Sequence, residues 1–185
     1  MKILLLIDNL CSGGAETHVE LLARELSALG HKVCVASAGG EIADKLSRMG
    51  IELLHLPFPK NNKKLNTLTA FFHCFLAQKL LSDYIHHHSP KIIHAHTRKM
   101  AFLAHGICKR EKIPLIVTAH SKSSMKFPKN ILSKWGDGTI AVSLDIKKHL
   151  ISHGTPADQI KVINNGVCLP PHPSLKQGEK KGEEV

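Results

Sequence analysis

Aromatic side chains are scarce in this chain: Phe, Trp and Tyr make up 4% of its 185 residues. The hydrophobic share is still 43%, enough for a core built mainly of Leu, Ile, Val and Ala. Surfaces that stack nucleic-acid bases interleave aromatic with basic residues. Their scarcity argues against a nucleic-acid partner, although the formal net charge is +10. Cysteine is equally unhelpful to a disulfide-built fold. Cys11, Cys34, Cys74, Cys108 and Cys168 are odd in number, widely spaced and without a CxxC pair. They read as reduced thiols of a cytosolic protein. A long apolar run is missing too. The opening "MKILLLIDNL" has one lysine and five consecutive apolar residues, too short for a signal core or a membrane span. Two nucleotide signatures are absent. There is no G-x-G-x-x-G, and "VCVASAGG" ends without an acidic residue to hold a ribose, which argues against NAD. There is no G-x-x-x-x-G-K-[ST], so a P-loop is excluded. No internal repeat is found.

What is present is an alternation. Short apolar runs predict strands near Ile3–Ile7, Val33–Ser37, Ile51–Leu56, Lys91–Ala95, Leu115–Ala119, Thr139–Val142 and Lys161–Ile163. They are apolar on both faces, as in a sheet covered on both sides. Between them lie helical patterns. Ala15, Val19, Leu22, Leu26 and Leu29 form one stripe, stopped by Gly30. Further helices are expected over 65–87, 99–111 and 144–152. This predicts an α/β fold, a doubly wound, mostly parallel sheet of about seven strands that gathers ligands at its carboxyl edge. From Leu169 the chain turns proline-rich and then charged. Residues 1–168 are therefore expected to form one domain and 169–185 a linker or disordered tail.

The loop in "DNLCSGGAET" (8–17) joins the first strand to the first helix. Gly13 and Gly14 let a ligand approach the backbone, and the free N–H groups of a helix start favour phosphate. The alternative is an ordinary glycine-assisted turn capped by Ser12 or Gly13. Glu16 falls in the first helical turn, where it suits the dipole or a capping box. "HAHTRK" (94–99) follows the fourth strand. Its His94 and His96 share a face, but no third ligand stands at a persuasive spacing, so no metal is expected. Arg98 and Lys99 open a helix where positive charge opposes the dipole, which points to an anionic ligand. "TAHSKSS" (118–124) places His120 at the same edge, either as a ligand contact or as a satisfied strand-end histidine. "HHH" (86–88) suits the end of a long helix. "MKFPKNILSKW" (125–135) has an apolar side suited to a membrane surface, interrupted by Pro128. The lysines of "KNNKK" (60–64) and Lys122 read as solvated surface.

"GGAETHV" (13–19), "HAHTRK" (94–99), "TAHS" (118–121), "AVSLDIKKHL" (141–150) and "KVINNGV" (161–167) stand in an order that resembles the N-terminal half of family-4-like glycosyltransferases of the GT-B architecture. The resemblance implies a Rossmann-like domain that holds the acceptor and faces a second, donor-binding domain across a cleft. It implies that Gly13 and Gly14 lie against donor phosphates, that His120 is the catalytic residue beside the donor sugar, and that Glu16, His96, Arg98 and Lys99 line the acceptor side. It implies a retaining transferase that moves a hexose-type sugar from a nucleotide-sugar to a hydroxyl of a glycan or lipid-linked acceptor, with no cofactor and no metal. The family's E-x7-E motif is missing, since no two glutamates here are eight apart. The expectation is therefore an acceptor half, inactive alone, whose donor domain belongs to a missing segment or a partner chain. The alternative is a non-catalytic subunit of a split enzyme. A cytoplasmic protein, peripheral on the inner face of an anionic membrane, is the expected location.

Overall fold

β1 (Lys2–Leu6) sends alternate side chains into two opposite cores. Leu4 and Leu6 enter one, and Ile3 and Leu5 enter the other. The computed structural model describes residues 1–58, 67–122 and 136–166 of the chain. In it β1 is a central strand of a seven-stranded sheet ordered β3-β2-β1-β4-β5-β6-β7, with every adjacent pair parallel. The other strands are β2 (Lys32–Ser37), β3 (Glu52–His55), β4 (Ile92–Ala95), β5 (Leu115–Ala119), β6 (Gly138–Ala141) and β7 (Ile160–Val162). All seven expected strands are present, displaced by a residue or so at their ends. The structure is thus the Rossmann-like α/β sheet that the alternation predicts.

Helices cover both faces. α1 (Gly14–Ala28) buries Val19 and Ala23, with Ala15, Leu22 and Leu26 partly covered. Leu29 does not join this stripe as expected. It is the C-cap, 74% exposed, and Gly30 turns the chain away at φ 80°. α2 (Glu41–Arg48) was not expected from the sequence. Its eight residues carry only Ile42, Ala43 and Leu46 as an apolar face, too short a pattern to stand out. α3 (Thr67–His88) and α4 (Arg98–Glu111) pack on the opposite face through Ala77, Leu81, Ile85, Met100, Ala104 and Ile107. The histidines 86–88 fill the last turn of α3, and His88 stacks on Tyr84. α5 (Leu144–Ser152) closes a small third core with Ala119, Ala141 and Ile160.

Chain order reverses between β1 and β4, so the connections after these two strands splay apart at the carboxyl edge. Cys11, Cys34, Cys74 and Cys108 are free, with Cys34 and Cys108 buried. Among the described residues no helix is long and apolar enough to cross a membrane.

Candidate functional site

The loop after β1 is fastened from one side by the β2–α2 connection. Leu10 N–H donates to the Gly39 carbonyl at 2.9 Å, Ala38 N–H to the Asp8 carbonyl at 3.0 Å, and Ile42 N–H to the Leu10 carbonyl at 2.9 Å. Gly40 permits this approach. Its φ is 146°, and a Cβ there would collide with the Leu10 backbone. Gly13, not Ser12, is the N-cap of α1, and no side chain caps the helix. The first-turn N–H groups are therefore not occupied by a capping side chain. A Cβ on Gly13 would meet the Glu16 carboxylate, whereas a Cβ on Gly14 would meet nothing within 4 Å. Nothing in the chain's own packing requires Gly14 to lack a side chain. That open space is available to a ligand.

On the far side of β1, Thr97 caps α4 by accepting from Met100 N–H at 3.3 Å. Its hydroxyl donates to Asp8 Oδ1 at 2.6 Å. Lys99 Nζ lies 3.9 Å from Asp8 Oδ2 and 3.6 Å from the centre of the Phe58 ring. The conflict between Lys99 and the helix dipole is thus offset inside the protein, by an acidic residue and an aromatic face. Asp8 and Thr97 were passed over in the sequence, where they read as one more loop polar residue and one more cap.

Register builds the centre of the site. His94 pairs with Leu5, on the face that α1 covers. His94 and His96 do share that face, with ring centres 4.2 Å apart. His94 Nε2 hydrogen-bonds with Thr118 Oγ1 at 2.7 Å, and His96 Nδ1 with His120 Nε2 at 3.3 Å. α1 adds His18, whose ring centre lies 5.5 Å from that of His96 and 5.0 Å from that of His120. So the pair that lacked a third partner in the sequence has one in space: single ring nitrogens of His18, His96 and His120 all lie within 4.8 Å of one another.

These four imidazoles are held neutral. Burial, with smaller effects from neighbouring rings, pushes His94 down to about 4 and His96 well below its ordinary value. Burial, then the proximity of His18, lowers His120 to about 4, and burial lowers His18. Among the described residues, His96 Nε2 and His120 Nδ1 are buried without a hydrogen-bond partner. An orphaned polar atom of this kind costs about 1–3 kcal/mol, which a ligand group could recover.

A cleft of about 240 Å³ opens beside them, lined by Ala15, His96, Thr97, Arg98, Thr118 and His120 among others. Arg98, His96 and His120 thus line one cleft, which reaches α1 through Ala15; Gly13, Gly14 and the half-buried Glu16 belong to the same helix start. Lys99 turns the other way. It lies at a second, larger groove of about 720 Å³ between α3 and α4, lined by Phe58, Phe71, Phe75 and Phe102. Four of the chain's six phenylalanines meet there, and Phe71, Phe75 and Phe102 are 71%, 58% and 49% exposed. Residues 60–64, 125–135 and everything from 167 onward lie outside the described residues.

The sequence profile of Glycosyltransferase Family 4 matches residues 12–169. This chain belongs to glycosyltransferase family 4. Solved structures share the fold. A glycosyltransferase from Rickettsia africae is 24% identical with a TM-score of 0.68, and the match covers 90% of this chain and 43% of that one. The Anabaena protein HepE, solved in complex with UDP-glucose, is 22% identical with a TM-score of 0.69, covering 90% and 44%. The lipopolysaccharide outer core galactosyltransferase WaaB, in its apo form, is 19% identical with a TM-score of 0.64, covering 92% and 47%. This family-4 chain therefore spans less than half the length of the structures it resembles, and at these identities the likeness is one of fold. No curated protein matches it.

Proposed function

We propose that this chain is the acceptor half of a retaining glycosyltransferase, which moves a hexose-type sugar from a nucleotide-sugar to a hydroxyl of a lipid-linked acceptor. The observation that carries the reading is that the first turn of the uncapped helix α1, through Ala15, and His120 line one cleft, with open space beside the neighbouring Gly14. A uridine nucleotide is the first donor to test, because HepE was solved with UDP-glucose.

In the reaction, the bond between the anomeric carbon and the diphosphate oxygen breaks, and a bond to the acceptor oxygen forms on the same face. The acceptor proton leaves with the departing phosphate. Negative charge develops on that phosphate, and the N–H groups at Gly13 and Gly14 stabilise it. His120 is neutral at pH 7 and its Nε2 is bonded to His96, so its Nδ1 serves a sugar hydroxyl as a neutral hydrogen-bonding group rather than as a charged acid. Glu16, His96 and Arg98 orient the acceptor at the cleft. Lys99 stands at the phenylalanine groove between α3 and α4, and a cation beside an apolar groove suits an anionic headgroup with an apolar tail. A lipid-linked acceptor of this kind is the reason to assign the protein to the inner, cytoplasmic face of a membrane. The second domain closes over the site, excludes water and favours transfer over hydrolysis. Transfer needs no metal and no cofactor.

The test is turnover with a panel of nucleotide-sugars. The chain alone should show none, and the chain joined to a donor-binding domain should transfer. His120→Ala should lower that rate by about 100-fold or more. Unchanged turnover in this variant would remove His120 from the mechanism, and turnover by the isolated chain would overturn the half-enzyme reading.

A further inference from the structure

We infer that His18, His96 and His120 form a binding site for a single borderline divalent ion, with zinc the ion their chemistry suits. The three residues come from α1, the end of β4 and the end of β5, so the site exists only in the folded sheet. One ring nitrogen of each lies within 4.8 Å of the other two. Nitrogens on a tetrahedral zinc, about 2.0–2.1 Å from the ion, stand about 3.4 Å apart. The pair His96 Nδ1 and His120 Nε2, at 3.3 Å, is already at that separation. The remaining adjustment falls to the half-buried His18, which must move inward.

His96 is only 2% exposed, and among the described residues neither its Nε2 nor His120 Nδ1 has a hydrogen-bond partner, so these outer nitrogens can carry the ring protons while the facing pair, His96 Nδ1 and His120 Nε2, meets the ion. The donor set then selects the metal. Three imidazoles without a carboxylate among them suit zinc, copper, nickel or cobalt and not magnesium or calcium, which demand oxygen. His96 and His120 line the cleft of about 240 Å³, which leaves a fourth position for water or a ligand oxygen. His94 is engaged with Thr118 and braces His96 from behind. An ion here is not part of the proposed transfer. It occupies His120 and the acceptor side, so it would act as an inhibitor of that step. The site itself stands on geometry and does not depend on the transferase reading.

The experiment titrates cobalt(II) into the chelator-treated 185-residue chain and follows the visible bands of low-coordinate cobalt, with zinc as competitor. One cobalt per chain is expected, with visible bands, no thiolate charge-transfer band, and displacement by zinc. His18→Gln and His120→Gln should each weaken binding by about 100-fold. A double variant of the helix-end tract, His86→Gln with His87→Gln, should bind as the wild type does. His18→Gln, on a half-buried helix face, carries the test if the more buried His120→Gln fails to fold by circular dichroism. Absence of the bands, bands that persist in His18→Gln, or bands lost in the tract variant would each overturn the site. The orphaned nitrogens would then belong to the sugar hydroxyls of the cleft.

Discussion

Thr97 Oγ1 donates to Asp8 Oδ1 at 2.6 Å, joining the loop after β1 to the first turn of α4 across 89 residues of chain. The same hydroxyl accepts from Met100 N–H, so one side chain both caps a helix and locks two connections at the carboxyl edge. Thr97→Val keeps the shape and removes both bonds, leaving a helix amide without its cap and Asp8 Oδ1 without its hydroxyl donor. A stability loss of about 1–2 kcal/mol is expected. For a domain of this size the Tm should fall by about 2–8 °C in a thermal melt. Thr97→Ser should retain most of the wild-type value. A Thr97→Val protein that melts with the wild type would show that the bond is incidental.

Two glycines at this edge should respond in opposite ways. Gly40→Ala forces a Cβ onto the Leu10 backbone at a φ of 146°, so it should destabilise the fold and loosen the loop that carries Cys11–Gly13. Gly14→Ala meets nothing within 4 Å and should leave the stability within about 0.5 kcal/mol of wild type. In the complete enzyme, however, its methyl would enter the space assigned to the donor phosphate. Calorimetry should therefore show weaker nucleotide-sugar binding by Gly14→Ala at unchanged stability. Equal affinity in the two proteins would return Gly13–Gly14 to an ordinary turn.

The histidine cluster makes acid stability predictable in metal-free protein. His94 and His120 titrate near 4 in the fold and near 6.5 when unfolded, and His96 is lowered further. Between those values the unfolded chain binds more protons than the native one, so stability rises with pH there. The contribution is fully present above about 6.5 and is lost as pH falls through about 4. Urea midpoints measured with a chelator should drop between pH 7 and pH 4.5, and His94→Gln should flatten the slope. A midpoint that is level over this range would contradict neutral burial of the rings.

The proposal that the groove between α3 and α4 takes a lipid tail can be tested apart from folding. Phe71 and Phe75 are more than half exposed, so replacing both with Ser should change stability by about 1 kcal/mol or less. Each covered phenylalanine is worth about 1.5–3 kcal/mol to an apolar partner. The complete enzyme should then show a KM for lipid-linked acceptors raised about tenfold or more. Transfer to a short soluble acceptor should be unchanged. Equal effects on both acceptors would assign the groove to structure rather than to the lipid.

Much of the architecture was legible in one dimension, because a parallel sheet buried on both faces writes itself as apolar runs separated by helical stripes. Ile3–Ile7 and Leu115–Ala119 needed no tertiary information to be read as strands. α2 escaped because three apolar residues in eight do not establish a helical period. The carboxyl-edge positions of Gly13, His96, Arg98 and His120 were also readable, since each follows a strand. The two-residue period further placed His94 and His96 on one face. What the period could not supply was the neighbour across that face. His18 reads as a polar residue on an amphipathic helix, and only the packing of α1 over β1 and β4 brings it to His96 and His120. The same holds for Asp8 with Thr97 and for Phe58 and Phe102 with Phe71 and Phe75. Local periodicity determines which way a side chain points. What it meets there is decided by which strands lie side by side, and in this sheet those neighbours are distant in sequence.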